Sequence, residues 1–332
     1  MLLAVDIGGT NTRLALYPLD AEEAEAKATA TYASRDKAGP REVIEEFLDR
    51  SGLSATRAVL GVAGPVVGGR SPVTNLPWIV DEAELRHDLG LESVTLVNDL
   101  EALAAALPYL RPHDVVTISP GSPQAEGAIA ILAPGTGLGE AFLVWGGSGY
   151  SARPSEGGHT DFAPRNEGEI GLLQYMGDRF SRVSYEHVCS GTAIPYVFDF
   201  LRRSGYAVPD RLEGELAEGN DKTPIIIDAA LDDDRPCQIC QATMRTFASM
   251  LGAEAGNLAL KTLSTGGLYL GGGIPRRILP FLTDGPFLRA MRDKGHHAGL
   301  VTNIPVRVIT CPEATLRGAA AIGLREFGAV PA

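Results

Sequence analysis

Apolar and polar positions along this chain fall into short blocks of two kinds. Residues 2–7 (LLAVDI) are an apolar run around one acid, which predicts a central strand buried on both faces. Gly8-Gly9-Thr10-Asn11 predicts a tight turn, and the alternating segment Thr12 to Pro18 predicts its returning strand. Strands are also expected near Lys27 to Ala33, over Ala58 to Val62 and over Val94 to Val97, with Pro72 to Pro77 as strand or loop. Helical spacing appears over Glu42 to Arg50 and Leu100 to Ala106, so Asn98-Asp99 stands where a strand passes into a helix.

The pattern then begins again. Strands are predicted over Asp114 to Ile118 and Ala128 to Leu132, followed by Pro134-Gly135-Thr136-Gly137-Leu138-Gly139 and a return strand over Glu140 to Trp145. GGTNTRLAL and GTGLGEAFLV are thus two copies of strand, glycine turn with threonine, and strand, as a duplicated α/β domain would give. Helices are predicted over Glu169 to Arg179, Ile194 to Arg203 and about Pro236 to Leu263. Gly266 to Leu270 reads as a strand leading into Gly271-Gly272-Gly273-Ile274, and Pro275 as the opening of a further helix. Val306 to Thr310 is a last strand. Pro312 to Phe327 is a helix rich in small residues, suited to close packing where a helix crosses between domains. Alternating strands and helices predict an α/β protein of two domains with a boundary near Pro108, the C-terminal helix returning to the first domain.

Composition narrows the function. Of 332 residues 39 are glycine, about 12 % against a usual share near 7 %. With 45 % hydrophobic residues the chain can bury a sizeable core. The net charge of −12 argues against a nucleic-acid partner. No signal peptide or membrane-length apolar run is visible, which predicts no membrane association. Four cysteines suit a reduced, cytoplasmic protein. Cys237 and Cys240 form a C-x-x-C without the further ligands that zinc needs, so core or helix-surface cysteines are expected.

The glycine turns are candidate phosphate sites. Consecutive backbone N–H groups make an anion nest without lysine, and glycine permits φ > 0 and close approach of a ligand. Gly8-Gly9-Thr10 and Gly135-Thr136-Gly137 would hold a polyphosphate together; Gly271-Gly272-Gly273, before a helix, suits an anion or nucleotide. The dinucleotide and P-loop fingerprints and the protein-kinase catalytic loop are absent. Asp6 suits a magnesium ion held through water, or else is a hydrogen-bonded turn residue. Arg13 either lends positive charge or is a surface strand residue. Asn98 and Asp99 either cap the following helix or supply a general base for phosphoryl transfer to an alcohol. Glu156, His159 and Glu186 are candidates for hydroxyl recognition, since a carboxylate accepts two hydrogen bonds side by side; a structural histidine and a surface glutamate are the alternatives.

Together these segments resemble the bacterial glucokinases, within the superfamily of hexokinase, actin and the heat-shock chaperone ATPases. Asp6-Ile7-Gly8-Gly9-Thr10-Asn11 is similar to the family's first phosphate motif, Val97-Asn98-Asp99 to its catalytic segment and Pro134–Gly139 to its second phosphate motif. Glu156-Gly157-Gly158-His159-Thr160-Asp161-Phe162 and Val183-Ser184-Tyr185-Glu186 resemble its sugar-binding segments, and Leu270-Gly271-Gly272-Gly273-Ile274 its adenosine motif. The resemblance implies two actin-like (ribonuclease H-like) α/β domains flanking a central cleft, residues 1–109 with 312–332 and residues 110–311. It implies ATP, Mg²⁺ and glucose as ligands, and a homodimer. Asp99 would take the proton of the sugar 6-hydroxyl, while Asn98, Glu156, His159 and Glu186 bind the other hydroxyls. Domain closure about hinges near Pro108 and Pro312 would exclude water. Thr160-Asp161-Phe162-Ala163 stands where the related repressor/kinase branch carries a cysteine-rich zinc motif, and the first strand begins at residue 2. Both features disfavour a sugar-responsive repressor. The competing expectations are a kinase for another hexose, a non-catalytic sugar sensor, and an actin-like or chaperone ATPase, in which Glu156, His159 and Glu186 would have no role.

Overall fold

The computed structural model describes residues 1–19, 25–219 and 221–328. They form two compact units: residues 1–114, 146–153 and 311–332, and residues 115–145 and 154–310. The chain therefore enters the first unit three times.

In the first unit, strands β1 (Leu2–Ile7), β2 (Asn11–Tyr17), β3 (Ala28–Ala33), β4 (Arg57–Val62) and β7 (Ser93–Asn98) form a sheet in the order β3-β2-β1-β4-β7. A two-stranded ribbon, β5 (Arg70–Pro72) and β6 (Ile79–Asp81), and helices α1 (Pro40–Ser51), α2 (Glu82–Asp88) and α3 (Asp99–Ala106) complete its central region. β1 and β2 are an antiparallel hairpin, whereas β1, β4 and β7 run parallel. Their register aligns Ile7 with Val62 and Val62 with Asn98. The turns after all three strands therefore leave the sheet at one edge, the carboxyl edge where α/β sheets bind ligands. Alternation within β1 divides the core. Leu3, Val5 and Ile7 face Val43, Phe47 and Trp78; Leu2 and Ala4 face Leu316, Ala319 and Ala320 of the C-terminal helix (Ala314–Phe327). The small residues of that helix serve close packing on α3 and the sheet within this unit. A Cβ on Gly323 would stand 2.6 Å from Leu2.

The second unit repeats the opening. Strands β8 (Val115–Ser119), β9 (Ile129–Pro134), β10 (Leu138–Trp145), β12 (Gly267–Leu270) and β13 (Val306–Ile309) make a sheet in the order β10-β9-β12-β13-β8, while β11 (Tyr150–Ser155) spans the point after Arg153 where the chain passes from the first unit to the second. β9 and β10 are again a hairpin, and β12 again lies parallel to its first strand. The duplicated strand–glycine turn–strand of the sequence is therefore the same local topology twice. Helices α4 (Glu167–Gly177), α5 (Glu186–Cys189), α6 (Ile194–Arg203), α7 (Asp210–Glu218), α8 (Lys222–Leu231) and the long α9 (Gln238–Thr262) follow, then four short ones: α10 (Gly273–Arg277), α11 (Leu279–Thr283), α12 (Pro286–Arg292) and α13 (Ala298–Thr302).

The predicted strands and long helices are present with ends moved by a few residues. Three differences have physical causes. Periodicity assigns nothing between Arg203 and Pro236, yet α7 and α8 lie there. The β-branched run Ile225-Ile226-Ile227 has no helical spacing of its own, and α8 forms because Ile226, Ile227, Ala229 and Ala230 bury against the core and Asp221 caps its start. α2 is likewise too short to show a period; Asp81 caps it by accepting from the Ala83 and Glu84 amides. Pro275 does not open its helix: α10 begins at Gly273, with Gly272 at φ 85° as the preceding residue, a left-handed conformation that favours glycine. Cys237 and Cys240 are free and buried at the start of α9, as expected of core cysteines. Among the described residues no helix is long and apolar enough to cross a membrane.

Candidate active site

At the carboxyl edge of the first sheet, Gly8 and Gly9 follow β1, Ala63-Gly64 follows β4, and Asn98 ends β7 with Asp99 directly after it. The turn at Gly8 is closed by its own N–H to Asn11 O (3.0 Å). It is braced from outside: Ser34 Oγ donates to Gly8 O (2.8 Å) and Ser34 N–H to Thr10 O (2.9 Å). Gly8 and Gly9 are not at positive φ. Gly9 is small because its Cβ would meet Thr74 O at 3.0 Å, so close approach rather than left-handed geometry sets the choice.

Asn98 caps α3, its Oδ1 accepting from Leu100 N–H (2.9 Å) and its amide donating to Gly64 O (3.0 Å). The capping role weighed for this pair is therefore real at Asn98. Asp99 is the first residue of α3, with its Oδ1 also near the Leu100 N–H (2.9 Å). Burial pushes the Asp99 carboxyl up to about 6; the neighbouring Asp6 charge adds to the rise and the helix-start amides oppose it. Asp6 lies in β1 opposite Arg13 on β2, and their side chains pair at 3.1 Å. Burial raises the Asp6 carboxyl while Arg13 holds it down. Arg13 thus spends its charge on Asp6, and is neither a free cation nor a plain surface residue.

The other predicted residues lie in the second unit. β9 and β12 in register put Gly135-Thr136-Gly137 and Gly271-Gly272-Gly273 at one edge, and Gly271 N–H donates to Leu132 O (3.0 Å). A segment that motif reading passed over joins them. Gly191 N–H donates to Gly135 O (2.7 Å), Thr192 Oγ1 to Thr136 O (3.2 Å) and Thr223 Oγ1 to Gly191 O (2.7 Å). A Cβ on Gly191 would also meet Ile274 at 3.3 Å. The signal in the sequence was Ser190-Gly191-Thr192, another small-residue turn with hydroxyls. The macrodipole of the five-residue α10 is small, so the third turn offers an anion its backbone N–H groups.

Glu156, His159 and Glu186 come together. Phe162 N–H donates to Val183 O and Tyr185 N–H to Thr160 O, both at 3.0 Å, lacing residues 160–162 and 183–185 side by side. His159 Nε2 is 3.9 Å from Glu156 Oε2 and Nδ1 is 3.8 Å from Glu186 Oε1. These contacts are too long for hydrogen bonds, so the carboxylate oxygens keep lone pairs for a ligand. Glu156 is exposed, whereas Glu186 is tied down by Leu138 N–H to its Oε2 (2.9 Å). Gly137 has no side chain because Glu186 occupies that space. His187, the neighbour of Glu186, is structural: it stacks on Phe180 and its Nδ1 accepts from Ser184 N–H (3.1 Å). Among the described residues no group of three or more His, Cys, Asp or Glu could hold a metal by itself.

The glucokinase family profile matches residues 3–326. A glucokinase of Nostoc punctiforme is 37 % identical over 340 residues, covering 98 % of this chain and 99 % of its own. A glucokinase from an Antarctic psychrotroph is 31 % identical and superposes with a TM-score of 0.84, covering 98 % of each chain. A ROK family glucokinase from Streptomyces griseus, solved with glucose and AMPPNP, shares the fold at a TM-score of 0.64 and 20 % identity, covering 97 % of this chain and 98 % of its own. With its two strand–turn–strand openings, its three glycine turns and a match along nearly its whole length, the chain belongs to the glucokinase family.

Proposed function

We propose that the protein transfers the γ-phosphoryl group of ATP to the 6-hydroxyl of glucose. The observation that carries this reading is Asp99, a carboxyl held at a strand end beside a second acid, with its pKa raised to about 6. Such a group is ionised at neutral pH yet more basic than an ordinary aspartate, which is what a base for an alcohol needs. It accepts the hydroxyl proton as the oxygen attacks phosphorus, and α3 fixes its position. Glu156, His159, Glu186 and Asn98 bind the remaining hydroxyls, the two glutamates as acceptors spaced by the histidine ring.

The turns at Gly8-Gly9-Thr10-Asn11, Gly135-Thr136-Gly137 and Gly271-Gly272-Gly273 bind the nucleotide through backbone N–H groups. An acidic chain can hold a polyanion in this way without a lysine. The S. griseus protein, which shares the fold, was solved with a nucleotide analogue and glucose together. Asp6 fits Mg²⁺ held through water, because a single hard carboxylate with few protein ligands suits an ion that keeps its waters and binds phosphate. When bound, the ion neutralises phosphate charge. The reading extends to a homodimer, for which light scattering should give twice the chain mass, and to a cytoplasmic location, which suits four free cysteines.

Glucose-dependent ADP release from Mg-ATP tests the reading. Turnover with another hexose but not glucose would change the substrate. Glucose binding without turnover would make the protein a sensor, and hydrolysis indifferent to sugar would make it a plain ATPase. Glu156→Ala should raise the glucose KM about tenfold or more, since a charge-assisted hydrogen bond contributes roughly 1.5–3 kcal/mol. An unchanged KM would move the sugar pocket elsewhere.

A further inference from the structure

Beneath the Glu156–His159 loop lie two acids that the proposed chemistry does not use. Glu140 on β10 is 1 % exposed and Glu254 on α9 is 0 % exposed. Glu140 Oε1 has no hydrogen-bond partner among the described residues. Its other oxygen fills the space that a Gly157 side chain would need, the carboxyl carbon standing 2.7 Å from that Cβ position. Glu254 is tied outward: its Oε2 accepts from Asn257 Nδ2 (2.9 Å), and the same amide donates to Tyr185 Oη (3.0 Å). Lys294 Nζ holds Asn257 Oδ1 (2.6 Å). Lys261 Nζ, 3.4 Å from Glu254 Oε1, is the cation paired with this acid. The Glu140 and Glu254 carboxyls, both buried, lie within reach of one shared hydrogen bond, with Lys261 the cation paired directly to Glu254 and Lys294 farther off. A like pair in such a place keeps one proton between its members, because an unpaired buried charge is costly.

We infer that Glu140 and Glu254 share one proton, and that the pair is a positioning device. It seats Gly157 on one side and Tyr185 on the other, and so fixes Glu156, His159 and Glu186 for the sugar. The inference rests on the proposed reading of those three as sugar ligands. The orphaned oxygen, the space vacated at Gly157 and the link through Asn257 to the residue before Glu186 are independent signs of it. A proton on Glu140 gives Glu254 a donor and leaves the loop undisturbed. Its loss puts two negative charges together under the loop, and the readiest relief is movement of Gly157.

Burial and the Glu254 charge push the Glu140 carboxyl up to about 8, with Lys261 opposing. The other titratable groups around the pair are Cys189, Tyr185, Lys294, Glu169 and Arg165. Burial raises the Cys189 thiol well above its ordinary value and Tyr185 to about 12, so neither ionises below pH 9. Lys294 is lowered, again by burial. If the ionised pair does not hold sugar, the glucose KM should rise about tenfold between pH 7 and pH 9, with kcat nearly level.

The experiment measures glucose KM and kcat separately at pH 7, 8 and 9 for the wild type, E140Q and E254Q. Either amide replaces the shared proton with a fixed donor, so both variants should show a KM ratio near 1 between pH 9 and pH 7. The second variant serves if one fails to fold. A flat wild-type KM, or a rise that persists in E140Q, as titration of Lys294 would give, overturns the inference. A wild type without glucose turnover overturns the kinase reading instead. The pair is then read directly from carboxyl ¹³C shifts of glutamate-labelled protein. A resonance that titrates near pH 8 and vanishes in E140Q supports the shared proton, and its absence overturns it.

Discussion

Asp99→Asn is expected to lower kcat for glucose phosphorylation by about 10²–10⁴-fold, the usual contribution of a general base, with glucose KM changed only a few-fold. The amide keeps the size of the side chain and removes only the ability to take a proton. The wild-type pH profile should report the same group. Protonated Asp99 cannot act, and its protonated fraction grows as pH falls through about 6, so kcat should fall about tenfold per unit below that point. Asp99→Asn should lack this limb.

The variant should also be more stable than the wild type at neutral pH. A carboxyl whose pKa is raised on folding favours the folded state when protonated, and that advantage is lost as pH rises from the unfolded value near 4 through about 6. At pH 7 the wild type therefore carries an ionised, disfavoured carboxylate, and its removal should yield on the order of 1–3 kcal/mol. Lower turnover with a higher Tm cannot come from partial unfolding. Near-normal turnover in Asp99→Asn would sink the assignment of the base.

Gly318→Ala should have the largest effect on stability. Gly318 lies on the C-terminal helix where it meets α3. A Cβ there would stand 2.6 Å from the carbonyl carbon of Ala102 and 3.1 Å from Ala106 N, with the Ala102 oxygen nearer still. These are backbone atoms inside a helix and cannot swing aside as a side chain would. The helices must separate, opening the packing of Leu316, Ala319 and Ala320 over the sheet. A cost of about 3 kcal/mol or more is expected, as for the more severe overpacked cores, with a Tm loss of several degrees or failure to fold. Because α3 begins at Asp99, kcat should fall as well. Gly214→Ala, exposed on α7 with nothing within 4 Å of its Cβ, is the control, and alanine there should be neutral or stabilising by up to about 1 kcal/mol. Equal thermal stability of the two variants would mean that the helix contact at Gly318 is looser than described.

Much of the fold was legible locally. LLAVDI reads as a buried strand, and the two strand–turn–strand openings show as a weak internal repeat of pattern. Asn98-Asp99 showed by position alone that it stands where a strand becomes a helix. Among the elements that escaped, α2, α7 and α8 have too few residues or too mixed a pattern to declare a period. They exist because the rest of the core gives their apolar faces somewhere to go.

The glycines divide the two kinds of information most clearly. Composition and spacing alone show that there are too many of them, and that a telling part lies at residues 8–9, 135–139, 157–158 and 271–273. They suggested positive φ and room for a ligand against the backbone as the reasons, and of those positions Gly272 alone is among the residues at positive φ. Tertiary structure decided the rest: Gly9 admits Thr74, Gly137 admits Glu186, and Gly157 admits the buried Glu140. Periodicity and turn chemistry act among neighbours within a few residues, so a sequence displays them directly. Which side chain fills the space beside a glycine depends on atoms distant in the chain, such as Glu254 on α9, that only close packing brings together.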